Sequence, residues 1–210
     1  MMNNTFDVRV YPLDEPKGST LAFANVTFKT DGEDVAAICG IRVLDSANGL
    51  FVSMPQSKDK DGGYHDIAFP LSKERRMEVS AAVLSEYNAQ EKLDPGQRGY
   101  EKTESSKTCA VSGEEVTLSI RVYPIREPLG STLAFASIRF NISGENLFAI
   151  RGVRIVDSEK GAFVSMPQSK GKDGEYHDVA FPLSGELRKI LNKSVLAEYE
   201  KQIGDVAKRK

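Results

Sequence analysis

One stretch occurs twice in the chain: Phe51-Val-Ser-Met-Pro-Gln-Ser-Lys-Asp-Lys-Asp-Gly-Gly-Tyr-His-Asp-Ile-Ala-Phe-Pro-Leu-Ser72. Its second copy, Phe163 to Ser184, differs at three positions. Outward from this stretch, residues 9–87 align with residues 121–199 without a gap, and about 48 of the 79 positions are identical. An internal repeat of this length indicates that the chain contains two copies of one folding unit.

The spacing of the repeat predicts two small domains in this chain of 210 residues. The first repeat is placed at residues 1–93, a linker at 94–117, the second repeat at 118–203 and a basic tail at 204–210. The linker is rich in Pro, Gly, Ser, Lys and Glu, a composition typical of an extended or flexible connector. Because so small a domain buries a modest fraction of its surface, we expect the two repeats to dock on each other.

Alternating apolar and polar residues predict antiparallel strands in the first repeat, at residues 6–11, 19–29, 35–44, 50–54 and 64–68. In the second strand the alternation slips between Phe23 and Val26, which predicts a β-bulge near residues 24–25. Asp31-Gly32 is typical of a hairpin turn. A long polar loop is expected over residues 56–63.

A helix is expected at the end of each repeat, because Ser72 and Ser184 can cap the first turn of a helical pattern. The apolar stripe predicted for the first helix is Met77, Ala81, Leu84 and Tyr87. The stripe predicted for the second is Leu187, Ile190, Leu191, Ser194, Val195 and Tyr199. Each unit is therefore predicted to be α+β, an antiparallel β-meander with a C-terminal α-helix.

The sequence contains no motif typical of an enzyme active site or of a metal-binding site. Cys39 and Cys109 form neither a disulfide framework nor a metal-binding pattern. His65 and His177 each precede an aspartate, but adjacent residues on a strand point to opposite faces and no third ligand follows. Nucleophile and nucleotide-loop motifs are absent. We expect a non-enzymatic protein with no catalytic residues, no metal and no cofactor.

The large phenylalanines are expected to belong to the hydrophobic core, rather than to line a ligand pocket. They are Phe23, Phe28, Phe51, Phe69 and their counterparts in the second repeat. The sequence starts without the basic and apolar segments of a signal peptide, and it contains no apolar run long enough to span a bilayer. We therefore expect a cytoplasmic location.

Charge is distributed unevenly between the repeats, although the net charge is only -2. Residues 6–93 carry 10 Lys or Arg and 14 Asp or Glu, whereas residues 118–203 carry 12 and 10. If the protein binds a polyanion, the second repeat should therefore dominate the contact. Drift of the charge balance after duplication explains the same difference.

Candidate anion-binding residues lie in the polar loops and on the second helix. Lysines beside a tyrosine can contact phosphate groups while the tyrosine stacks on a base. The loop candidates are Lys58, Lys60, Tyr64 and His65, with Lys170, Lys172, Tyr176 and His177 in the second repeat. Arg188, Lys189 and Lys193 form a further candidate face on the helix. In both places the alternative is an ordinary solvated surface.

Several motifs occur in order along each repeat. They are Gly-Leu-Phe-Val-Ser-Met-Pro at residues 49–55, Asp-Ile-Ala-Phe-Pro-Leu at 66–71 and Val-Leu-Ser-Glu-Tyr at 83–87. This series resembles the SpoVG family, the stage V sporulation protein G or septation regulators of bacteria. The resemblance implies single units that dimerise through their β-sheets and act as DNA- and RNA-binding regulators. Two such units in one chain imply a monomeric protein that acts as a fused dimer, an intramolecular pseudo-dimer.

One difference from the family concerns the cations of the loop. The family usually carries a Lys-Arg pair after Met-Pro and a further Arg before Asp-Ile-Ala. Here the matching residues are Ser57-Lys58 with His65, and Ser169-Lys170 with His177. Phosphate attraction should therefore be weaker than in a typical member. The alternative is a protein-interaction or scaffold factor in septation control, with a regulatory protein as its partner and no direct nucleic-acid contact.

Overall fold

The computed structural model describes residues 4–93, 116–128, 130–142, 144–171 and 173–208. Most of the predicted linker, Cys109 and Lys172 lie outside these residues. The elements of the first repeat are β1 Asn4–Lys17, β2 Thr20–Thr30, β3 Glu33–Leu44, β4 Phe51–Ser53, β5 Gln56–Lys58, β6 Tyr64–Asp66, β7 Ala68–Pro70 and α1 Lys73–Glu91. Those of the second are β8 Val116–Pro124, β9 Thr132–Ile142, β10 Glu145–Val156, β11 Phe163–Ser165, β12 Gln168–Lys170, β13 Tyr176–Asp178, β14 Ala180–Pro182 and α2 Gly185–Lys208.

Each repeat builds an antiparallel meander followed by a helix, which confirms the predicted α+β class. In the first repeat β2 pairs with β1 and β3, and β4 adds to the end of β3. Asp31 and Gly32 both have positive φ, 49° and 85°, as a two-residue hairpin turn requires. The Ser72 hydroxyl accepts a hydrogen bond from the Arg75 amide at 3.0 Å, and Ser184 accepts one from Leu187 at 3.3 Å, so both predicted caps are confirmed.

The repeats are joined by an exchange of short strands. β14 of the second repeat pairs with β3 of the first, and β7 of the first pairs with β10 of the second. The exchange is closely symmetric, since the Cys39 amide donates to the Val179 carbonyl and the Arg151 amide donates to the Ile67 carbonyl, each at 2.7 Å. The pseudo-dimer is confirmed, and each sheet contains one strand from the other repeat.

The single fifth strand predicted at residues 64–68 is wrong. The chain forms two short strands instead, β6 and β7, separated by Ile67. β6 stays with its own repeat and pairs with β5, whereas β7 crosses to the other sheet. β5 occupies the start of the predicted polar loop, because Gln56 to Lys58 pair residue by residue with Asp66 to Tyr64.

One hydrophobic core runs through both repeats and includes the inner sides of both sheets and both helices. At its centre Phe148 stacks on Phe28 of the first repeat and on Phe140 of its own, with ring centroids 4.7 and 4.4 Å apart. Phe28 and Phe140 are equivalent residues in the two copies. The counterpart of Phe148 is Ala36, so the centre of the core is not symmetric.

The β-bulge predicted in β2 lies in β3 instead. Alternate residues of β2 from Ala22 to Thr30 are buried without interruption, and the β1–β2 register is regular over this range. The extra residue falls in β3 between Ile38 and Ile41, where Gly40 has a φ of 75°. Glycine adopts this conformation without strain. Gly152 takes the same role in β10, with a φ of 72°.

The apolar stripe predicted for α1 is also wrong in part. The buried residues are Val79, Val83, Tyr87 and Gln90, while Met77 is 62% exposed. The second helix buries the equivalent positions Leu191 and Val195, together with Leu187. Ile190, predicted to be buried, is exposed. The α1 stripe was misplaced because Arg75 stands where α2 has Leu187.

Candidate nucleic-acid interface

The loop candidates lie on two small hairpins, β5–β6 and β12–β13. Lys58 is the cross-strand partner of Tyr64, and its Nζ lies 5.8 Å from the centre of the tyrosine ring. Lys170 and Tyr176 are cross-strand partners in the second hairpin. Both tyrosines are highly exposed, at 63% and 64%. A cation and an accessible aromatic ring therefore lie side by side in each repeat.

Each candidate histidine is held by a carboxylate of its own hairpin. His65 Nε2 donates to Asp59 Oδ2 at 2.6 Å, and His177 Nε2 donates to Asp173 Oδ2 at 2.8 Å. The hydrogen bond from His65 lowers the pKa of Asp59. The pKa of Asp173 is lowered mainly by the hydrogen bond from the Glu175 amide, and the hydrogen bond from His177 makes the next largest contribution. These contacts make the histidines part of the hairpin structure.

The aspartate that holds the histidine comes from a different position in each copy. Asp59 corresponds to Gly171 in the second repeat, and Gly63 corresponds to Glu175. A Cβ atom at Gly63 would lie 2.7 Å from the Asp59 carboxylate, and one at Gly171 would lie 2.5 Å from that of Asp173. The glycine thus makes room for the carboxylate that binds the histidine, and the contact is present in both repeats although the aspartate that makes it stands at a different position in each.

The helix candidates differ in their surroundings. Arg188 forms an ion pair with Asp178 at 3.1 Å, as Arg76 does with Asp66 at 2.8 Å. These pairs connect each helix to its hairpin, so the Arg188 charge is partly neutralised. Lys189 and Lys193 are exposed and have no cationic counterpart on α1.

Several large aromatic residues face solvent, which corrects the expectation that they belong to the core. Phe28 and Phe140 are buried as predicted, but Phe23 is 37% and Phe135 45% exposed. Phe51 and Phe163 are similarly exposed. Phe23 is in the same phase of β2 as Asn25 and Thr27, so its position in the alternation indicated the polar face. Its residue type favoured the core and was misleading.

We use "second outer face" for the solvent-facing side chains of β8, β9 and β10. Tyr123, Phe135 and Arg154 are neighbours on it, because they are cross-strand partners on successive strands. Beside them lies a cleft of about 360 Å³, whose lining includes Phe135, Arg151, Arg154 and Tyr176 and, from the first repeat, Ser57, His65 and Asp66. The Asp66 carboxylate forms the ion pair with Arg76 described above. Arg151 and Arg154 were not predicted from the sequence as binding residues, although Arg151 differs in charge from its counterpart Cys39.

Cys39, the counterpart of Arg151, lies partly buried beside the exchanged strand. Burial raises the pKa of its thiol to about 11, and the negative charge of Asp178 contributes. The thiol is therefore protonated at neutral pH. Among the described residues, no group of three or more His, Cys, Asp or Glu side chains is arranged to hold a metal ion. No helix in the described part of the chain is long and apolar enough to cross a membrane.

We expect Cys39 to react slowly with iodoacetamide at pH 8. The raised pKa lowers the thiolate fraction of Cys39 about 100-fold relative to an ordinary thiol. A thiolate of higher pKa is a stronger nucleophile, which raises the reaction rate again by about tenfold. A Cys109→Ser variant, followed by mass spectrometry with glutathione as the reference thiol, should show labelling of Cys39 at least about tenfold slower than that of glutathione. Equal rates would contradict the burial of this thiol.

Comparison with known proteins agrees with the duplication. The SpoVG family model matches residues 2–89 and 116–201. A septation protein SpoVG of Archaeoglobus fulgidus is 39% identical over 88 residues, which are 42% of this chain and 96% of that protein. One of Acetivibrio thermocellus is 40% identical over 83 residues, 40% of this chain and 83% of that protein. The matched part of each relative is thus about as long as one repeat, and the chain belongs to the SpoVG family with its domain present twice.

Proposed function

We propose that this protein is a cytoplasmic, non-enzymatic regulator that binds DNA or RNA weakly and influences gene expression of the septation or sporulation type. The observation that carries the proposal is the exposed lysine–tyrosine pair on both hairpins, Lys58 with Tyr64 and Lys170 with Tyr176. Lys60 and Lys172 add charge near them in the sequence. The names of the relatives support the septation context.

Weak binding follows from the small number of charges. Each phosphate contact contributes a slope of about -0.7 on single strands, or -0.9 on duplex DNA, in a plot of log affinity against log salt concentration. Four lysines can therefore account for a slope of about -3 on single strands. Such binding is measurable at low salt and fades towards physiological salt.

A salt titration tests the loop lysines. Replacing Lys58, Lys60, Lys170 and Lys172 by alanine should lower the affinity for oligonucleotides at low salt and reduce the slope by up to about 3. Fluorescence anisotropy with single-stranded and duplex probes measures both. The matched control replaces Lys17, Lys73, Lys92 and Lys160, which are also exposed and remove the same charge. Equal losses in the two variants would refute a specific role of the hairpins.

The second candidate is a protein-interaction or scaffold factor in septation control that makes no direct contact with nucleic acid. It is favoured by the acidic pI of about 5.8 and by the Asp59 and Asp173 carboxylates within the hairpins. Absence of salt-dependent binding to any oligonucleotide at low ionic strength would favour this candidate over nucleic-acid binding.

A further inference from the structure

The solvent-facing side chains of β1, β2 and β3 form the equivalent first outer face, which has the same fold but a different charge. The second outer face carries Arg121, Arg139, Arg151 and Arg154, and none of them forms an ion pair with a described carboxylate. The equivalent residues of the first repeat are Arg9, Thr27, Cys39 and Arg42. Two arginines are therefore found only on the second outer face.

Acidic residues increase the difference. On the first sheet Lys29 lies between Asp7 and Asp34, with distances of 2.6 and 3.3 Å from its Nζ to their carboxylates. These three positions are Asn141, Ser119 and Asn146 in the second repeat. At these positions the second outer face thus lacks two acids and one lysine of its counterpart, and elsewhere it carries two more arginines. Its charge suits a polyanion.

Aromatic rings lie among these arginines. Tyr123 is 54% and Phe135 45% exposed, and the two are cross-strand partners on β8 and β9. Arg154 is the partner of Phe135 on β10. An accessible ring next to a guanidinium group can stack on a base while the cation meets the adjoining phosphate. This combination recognises an unpaired nucleotide, because a base within a duplex has both faces covered by its neighbours.

The cleft beside Phe135 extends this surface to the other repeat. Its volume of about 360 Å³ is within the range of small-ligand sites. Arg151 is oriented by Phe69 of the first repeat, since its guanidinium carbon lies 4.6 Å from the centre of that ring. Tyr176 of the second hairpin also lines the cleft. The exchanged strand thus helps to place an arginine that the first repeat lacks.

We propose that the second outer face and its cleft form a binding site for a short single-stranded DNA or RNA segment, with bases stacked on Phe135 and Tyr123 and phosphates bound by Arg151 and Arg154. The proposal rests on the proposed nucleic-acid function and gives it a location and a preferred strand state. The first outer face has the same row of side chains, Tyr11, Phe23 and Arg42, but it lacks two of the arginines and carries Asp7 and Asp34, so it is not an equivalent site.

The test uses the full chain, a labelled single strand of about 12 nucleotides and the duplex of the same sequence. Phe135→Ala should weaken single-strand binding at least about fivefold, the loss of one stacked base. Arg151→Ser should weaken it about fivefold at 0.1 M salt, the effect of one phosphate contact. The matched controls are Phe23→Ala and Cys39→Ser, at the equivalent positions of the first repeat, and both should leave affinity within twofold. Circular dichroism verifies folding.

The outcomes separate this proposal from the loop proposal. Losses for Phe135→Ala and Arg151→Ser with unchanged controls support the site. Equal effects in the two repeats, or tighter binding of the duplex, overturn it. If the intact chain binds and only the quadruple lysine variant loses affinity, the site is wrong and the nucleic-acid function remains. If the intact chain binds no oligonucleotide at low salt, both proposals are refuted.

Discussion

Replacing Phe148 with alanine is expected to lower the free energy of unfolding by about 3–5 kcal/mol. The ring is fully buried and stacks on Phe28 and Phe140, at 4.7 and 4.4 Å. Removing it takes away apolar burial and leaves a cavity where the two repeats meet. Small domains are stable by only about 5–15 kcal/mol, so this loss is a large fraction of the total.

Urea denaturation followed by circular dichroism measures this loss. A single transition is expected, because the core cluster includes residues of both repeats. Phe163→Ala is the control, since that ring is 47% exposed. Its effect should stay near 0.5 kcal/mol. A Phe148→Ala variant that is no less stable than this control would contradict the central position of the ring.

Ala36→Phe is expected to destabilise the wild-type chain by about 1–3 kcal/mol, or more if the backbone must shift. Ala36 is fully buried and is the cross-strand partner of Phe28. By the pseudo-symmetry of the repeats, a ring at this position would enter the space that Phe148 occupies.

Two copies of the first repeat would leave this space without a ring, and two copies of the second would bring two rings to it. We therefore expect the repeats to fit each other better than either fits a copy of itself.

The double variant Ala36→Phe/Phe148→Ala tests this reasoning. Moving the ring from one repeat to the other should restore part of the stability, with an interaction free energy of about 0.5–3 kcal/mol between the two substitutions. The same denaturation experiment on both single variants and the double variant completes the cycle. Additivity within about 0.5 kcal/mol would show that the two positions do not share a space.

Much of the fold could be predicted from local sequence. The hairpin turn at Asp31-Gly32 and the Ser72 and Ser184 caps are encoded by residues close together in the chain, and the repeat is evident when the two halves of the sequence are compared. The strand exchange could not be predicted, because Ala68-Phe69-Pro70 and Ala180-Phe181-Pro182 have the same sequence. Nothing local distinguishes pairing within a repeat from pairing between repeats.

The candidate site was predicted in part for a similar reason. The hairpin lysines and tyrosines stand in a polar segment, so composition was sufficient to find them. Phe135 and Arg154 are distant in sequence and become neighbours only when β9 pairs with β10. Arg151 needs Phe69 of the other repeat to orient it, a contact that depends on the exchange.

The exchange itself is tested most directly by nuclear Overhauser contacts between α-protons. Ala180 faces Ile38 and Ala68 faces Ile150. The hydrogen bonds from the Cys39 amide to Val179 and from the Arg151 amide to Ile67 flank these pairs. The two pairs are therefore of the non-hydrogen-bonded type, in which the Cα atoms lie about 4.5 Å apart. We predict α-proton cross-peaks for Ala180–Ile38 and Ala68–Ile150 that persist when labelled chain is diluted with unlabelled chain. Cross-peaks for Ala68–Ile38 and Ala180–Ile150 instead would show that each repeat keeps its own strand, and would contradict the account.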